Sequence, residues 1–130
     1  MAERTVSAVW KEAMRCTVDA GGFAITVDEP ASAGGTDQGP QPTELFLAAI
    51  SSCFTLALSH SATKRGIELR GVQVDATGTY DGPRFATVRV TVHAEAPRGE
   101  ELDRLVAAAE RVCYVTNTLR RGPEIEIRTS

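Results

Sequence analysis

Two thiols carry most of the chemistry this sequence could perform. Cys53 lies in the middle of an apolar stretch, and Cys113, 60 residues further on, lies where a helical pattern restarts. Such thiols attack electrophiles as thiolates, pass through sulfenic acids and condense into disulfides. A cysteine on an apolar helix is by base rate an inert core residue, and burial raises its pKa. Cys53 gains nothing from a helix N-terminus, so reactivity there requires a nearby cation, whose attraction a low-dielectric site strengthens. Cys113 starts a helical turn, where the dipole favours a thiolate, with Thr116 and Asn117 close by and Arg120 and Arg121 just beyond. Spacing does not decide whether the thiols meet, because a disulfide needs Cα atoms within roughly 7 Å and only the fold can supply that. The third cysteine, Cys16, shares a strand face with Met14 and Val18 and reads as a core thiol. His60 follows Cys53 by seven residues on the same helical face, roughly 10 Å along the axis and too far for a catalytic dyad. His93 sits in a strand with no partner that the sequence identifies, and no spaced Cys/His set suggests a metal.

The elements that must position these thiols follow from periodicity. Residues 4–10 and 13–19 alternate as strands, and Gly21-Gly22 turns the chain into a third, Phe23 to Val27, completing an antiparallel meander. Residues 29–41 are rich in Gly, Pro, Ser and Asp and read as a loop. Their Gly34-Gly35 lacks the Lys-Ser/Thr that a phosphate cradle requires. Pro42 and Glu44 suit the first turn of a helix that runs to about Arg65 and stops at Gly66. Its first half is apolar nearly all round, as in a helix buried on every side. A chain of 130 residues has difficulty covering such a helix alone, which motivates an obligate dimer. Val72 to Tyr80 and Phe85 to Ala94 form a hairpin about Asp81-Gly82-Pro83, with one wet face. An amphipathic helix opens at Pro97-Arg98-Gly99, a short one runs from Cys113 to Arg120, and Glu124 to Thr129 reads as a last strand with Ile125 and Ile127 inward.

Length and the absence of repeats or linkers predict a single α+β domain over residues 1–130. A net charge of −3 argues against a nucleic-acid grip. The longest apolar run, Leu45 to Leu58, is interrupted by Ser51, Ser52, Cys53 and Thr55 and is too short to span a bilayer. No basic-then-apolar leader opens the chain. A soluble cytoplasmic protein is therefore expected, away from membranes, in which an odd cysteine count points to free, catalytic or redox thiols.

The stretch Pro42-Thr43-Glu44-Leu45-Phe46-Leu47-Ala48-Ala49-Ile50-Ser51-Ser52-Cys53 resembles the Pro-x-Glu-Leu-Leu-x-x-Ala-x-x-x-Cys helix of the OsmC/Ohr family of thiol-based peroxidases. Cys113-Tyr114-Val115-Thr116-Asn117-Thr118-Leu119 is similar to the family's second-cysteine motif, with Tyr114 where Pro is usual. The Gly-Gly-x-Asp loop and the order of elements match as well, over nearly the whole chain. The resemblance implies strongly curved antiparallel sheets around a long central helix, in an intertwined homodimer. It also implies reduction of organic hydroperoxides without a cofactor, in defence against oxidative stress. Cys53 becomes the sulfenic acid, Cys113 condenses with it to a disulfide, and a dithiol, often a lipoylated protein, resets the pair. Leu45, Phe46, Ile50 and Phe54 would line an apolar entry, although the same residues serve equally as core.

Family members place an Arg from the N-terminal strands beside the first cysteine, and Arg15 is the candidate. They hold that Arg with a Glu ten residues before the cysteine, where this chain has Thr43; Glu44 lies nine before. Nine residues rotate a side chain about 180° from Cys53, so Glu44 points elsewhere and suits the helix dipole. A Glu at this position resembles a less characterised branch of the family. The alternative from a different functional class is a non-catalytic dimer of the same fold that binds an apolar ligand or senses redox state.

Overall fold

Pro42 and Glu44 do open a helix. The computed structural model describes all 130 residues and places α1 at Pro42–Arg65. Gln41 is its N-cap: the Gln41 N–H donates to the Glu44 carboxylate at 2.9 Å, and the Leu45 N–H donates to the Gln41 carbonyl at 3.0 Å. This is one arm of a capping box. At the other end Gly66 takes φ +63°. The Ile67 N–H then returns to the Ala62 carbonyl at 2.9 Å and the Gly66 N–H to Thr63 at 3.3 Å, satisfying carbonyls the helix leaves open. Replacing the capping carboxylate in Glu44→Ala is expected to lower the unfolding free energy by about 1 kcal/mol. Urea denaturation measures this, and an unchanged midpoint would show the carboxylate to be idle.

The chain forms two compact units, Met1–Phe46 and Leu47–Ser130. In the first, β1 (Ser7–Glu12), β2 (Arg15–Ala20) and β3 (Phe23–Val27) form an antiparallel sheet in sequence order. The first two strands start later than their alternation predicts, because Ala13 and Met14 make the turn between them, with Ala13 at φ 47°. Cys16 pairs with Trp10 on one side and Val27 on the other. β1 is exposed along its whole length, and Trp10 and Phe23 are bare.

In the second unit, β4 (Gln73–Asp81) and β5 (Arg84–His93) pair as a hairpin in which half-buried and exposed residues alternate. Then come α2 (Gly99–Val112) and α3 (Tyr114–Arg121). Phe54, Ala57, Leu58 and Ala62 of α1 form one core with Leu105, Ala109 and Cys113, and Val74, Val90 and Val92 of the hairpin pack against it.

Four expectations need correction. The sheets are separate ladders of three and two strands and are not strongly curved. Each ladder has one irregularity, at Trp10/Glu12 and at Thr79/Tyr80, and bulges are what bend strands sharply. Residues 124–129 form no strand, and Ile125 and Ile127 are 80% and 90% exposed rather than inward. A strand exists only with a neighbour to complete its hydrogen bonds, and none pairs here. The short helix begins and ends one residue later than expected, at Tyr114 and Arg121, with Cys113 as its N-cap. Finally, α1 at 24 residues is long and apolar enough to cross a membrane by length and composition. The apolar run alone understated it, because the helix continues through Ser59, Ser61 and Thr63. Its buried face nevertheless packs on α2 as a core helix does.

Candidate functional site

Cys113 is shaped by a break in the helical chain. It is both the last cap of α2 and the first of α3, with extended backbone at φ −78° and ψ 109°. The Asn117 N–H donates to its carbonyl at 3.0 Å, the first bond of α3. The amides of the next turn are left without helical acceptors, as at any helix start. Those of Val115 and Thr116, with the Thr116 hydroxyl, lower the pKa of the Cys113 thiol. That hydroxyl also lies 3.4 Å from the Cys113 carbonyl.

The Cys53 side chain is a fourth neighbour that lowers the Cys113 pKa. Cys53 is half-buried on α1 and packs against the core cluster that contains Cys113, whose side chain is fully buried. The two residues that sequence singled out, 60 positions apart, are therefore neighbours in space. Burial alone pushes the Cys113 thiol up. The Thr116 hydroxyl, the Thr116 amide, the Cys53 thiol and the Val115 amide outweigh it, so the pKa lies below that of an ordinary thiol. The arrangement eases ionisation of Cys113 through dipoles rather than through a cation.

Arg15 and Glu44 both lie in the first unit. Arg15 opens β2, where its guanidinium donates to Glu12 at 2.7 Å and to the Gln38 side-chain carbonyl at 2.8 Å. Glu44 is engaged at the α1 N-terminus as described. The structure thus joins the two cysteines to each other and gives Arg15 a carboxylate partner, Glu12, that sequence reasoning did not name. The i,i+3 spacing of Glu12 and Arg15 across a turn was the available signal. His93, which had no identifiable partner, meets Asp75 at 3.1 Å on the wet face of the hairpin. The Gln73 amide first, and His93 second among the favourable contacts, hold the Asp75 carboxyl below its usual range against slight burial. The pair is exposed and distant in character from any enclosed site.

The loop at 29–41 is organised around a residue that sequence reasoning passed over. Asp28, at the end of β3, is buried at 1% exposure. Its carboxylate accepts the Thr36 hydroxyl at 2.6 Å and the amides of Glu29, Thr36 and Gln38. The Thr36 hydroxyl leads in lowering its pKa to about 2, with burial opposing and the three amides assisting. Gln38, carried by this loop, is the residue that reaches Arg15. Gly35 and Gly39 let the loop fold back, since a side chain at either would overlap the Glu29 or Thr26 carbonyl.

An open pocket of about 520 Å³ lies on the outer side of the α2–α3 junction, with Val112, Tyr114 and Asn117 between Arg111 and Arg121; neither Cys53 nor Cys113 lines it.

Residues 35–128 match the family model described as OsmC-like protein. The chain is 19% identical over 124 residues to the uncharacterised protein YmaD of Bacillus subtilis, covering 88% of this chain and 83% of that protein. It superposes on the crystal structure of an OsmC-like protein from Mycoplasma pneumoniae with a TM-score of 0.75 at 20% identity, covering 92% of this chain and 88% of the other. It superposes on an organic hydroperoxide resistance protein from Elizabethkingia anophelis with a TM-score of 0.70 at 25% identity, covering 94% and 91%.

Proposed function

The chain belongs to the OsmC-like protein family, and on that premise we propose that it reduces organic hydroperoxides with the Cys53–Cys113 thiol pair. The observation that carries this reading is the proximity of the two thiols, with Cys113 in the buried core and Cys53 packed against it. The Cys53 thiolate attacks the terminal oxygen of the hydroperoxide and becomes a sulfenic acid as the O–O bond breaks, and the alkoxide that leaves takes a proton from solvent to become the alcohol. The Cys113 thiolate attacks the sulfenic sulfur to form the disulfide, the hydroxyl group leaves as water by taking a proton from solvent, and a dithiol or lipoylated protein restores both thiols. A sulfenic acid with a thiolate already in contact is trapped before it oxidises further. The relative from Elizabethkingia, an organic hydroperoxide resistance protein, supports this choice of substrate class.

Arg15 is the cation assigned to the reaction by its place in the family pattern, and Glu12 and Gln38 hold its guanidinium ready. The chain acts as one OsmC-like domain and as an intertwined homodimer in the cytoplasm. Support for the dimer comes from the bare apolar side chains of β1 and β3, from Leu56 on α1, and from the unpaired segment bearing Ile125 and Ile127. A second chain would remove this apolar surface from water.

The test is consumption of cumene hydroperoxide with a dithiol present. Wild type is expected to turn over, and Cys53→Ser to fall to the uncatalysed rate. Equal rates for the two would end the peroxidase reading.

A further inference from the structure

A disulfide has two sulfurs, and a reductant that opens it must choose one. We propose that the dithiol attacks Sγ of Cys53 and that Cys113 is the sulfur that leaves, so the transient mixed disulfide forms on Cys53. This inference rests on the peroxidase reading above and specifies the direction of its second half.

Three observations select Cys53. The first is access: Cys113 has no exposed surface, whereas Cys53 is half-buried on α1. The second is the approach line. A thiolate attacks along the S–S axis, from the side opposite the leaving sulfur. Cys113 is itself a member of the buried core with Leu105 and Ala109, whereas Cys53 only packs against that core, so an attacker reaches Sγ of Cys53 with less of the core in its way. The third is the leaving group. Cys113 caps α3, whose first-turn amides have no helical acceptor, and the Val115 and Thr116 amides and the Thr116 hydroxyl lower its pKa, so negative charge is better held there. A better-stabilised thiolate leaves faster. Cys53 lies mid-helix, where the backbone amides are consumed by α1 itself.

The steps balance. One thiolate of the reductant bonds to Sγ of Cys53, the Cys53–Cys113 bond breaks, and its electron pair stays on Cys113. The second reductant thiol, losing its proton to solvent, attacks its own partner sulfur in the mixed disulfide. Cys53 departs as a thiolate, and the dithiol, having given up two electrons, becomes a cyclic disulfide.

The test forms the disulfide with diamide, without peroxide, and then adds limiting glutathione, a monothiol that has no second thiol of its own with which to release Cys53. Early time points are quenched in acid, alkylated with N-ethylmaleimide and mapped by peptide mass spectrometry. Glutathione is expected on Cys53 and maleimide on Cys113, with the reverse product less by about tenfold or more. Glutathione on Cys113, or an even split, overturns the proposal. Thr116→Val, which removes one donor from the leaving sulfur, is expected to slow opening of the disulfide by about threefold; an unchanged rate also counts against it. If diamide joins no Cys53–Cys113 bond, both this inference and the thiol-pair mechanism fall. If the bond forms and opens at Cys53 while cumene hydroperoxide is not consumed, the peroxidase reading falls alone.

Discussion

A Cys113→Ser variant given cumene hydroperoxide is expected to lose turnover by about 100-fold at limiting dithiol, and to accumulate Cys53 as sulfinic and sulfonic acid. The serine hydroxyl cannot condense with a sulfenic acid, so the intermediate that Cys113 would capture persists and meets more peroxide. The fold should survive the change, because serine is nearly isosteric and is itself a favoured residue at the start of a helix. Circular dichroism checks that point, and intact mass checks the other, as a gain of two or three oxygens in the variant but not in wild type. A variant that cycles at the wild-type rate and resists over-oxidation would remove Cys113 from the reaction.

The second large effect is expected at Asp28. Asp28→Ala leaves three backbone amides and the Thr36 hydroxyl without their acceptor. Unmade hydrogen bonds at a buried site cost more than the bonds themselves return. A fall in Tm of about 10 °C is expected, with faster proteolysis between residues 29 and 41. The carboxylate also makes a pH-dependent contribution. Its folded pKa of about 2 lies below the ordinary 3.8. The stabilisation is therefore fully present above 3.8 and is lost as the pH falls from there towards about 2. Asp28→Asn keeps the shape without the charge, and its melting temperature should decline less than that of wild type across that window. Parallel acid limbs for wild type and Asn would refute the assignment of charge to this cage.

What could be read beforehand depended on whether the signal was local. α1 was legible to its last residue because Pro42, Glu44 and Gly66 act within a turn of themselves. The hairpin was legible because strict alternation and an Asp-Gly-Pro turn sit side by side. Cys113 was legible as a helix start because the apolar register breaks there. The meeting of Cys53 with Cys113 was not, since it depends on how α1 packs against α2 across 60 residues of chain. Asp28 was missed because an aspartate at a strand end looks like any solvated loop carboxylate. The clue was the turn chemistry of Asp followed by Gly-Thr and Gly-Pro segments. The C-terminal alternation of Ile125 and Ile127 was real, but alternation states a face and not a neighbour.

The cage around Asp28 bears on how this gene can change. Surface loops are ordinarily where insertions and deletions collect. Here the carboxylate meets amides one, eight and ten residues downstream. Removing or adding a single residue between Glu29 and Gln38 would carry a donor out of reach. The exposed turn at Ala31–Ala33 has no buried residue and can drift in composition. Related sequences that share the cage should therefore vary freely in letters across that turn while holding its length fixed. A change of length there would mark the point at which a lineage gave up the carboxylate and found another way to present a residue to Arg15.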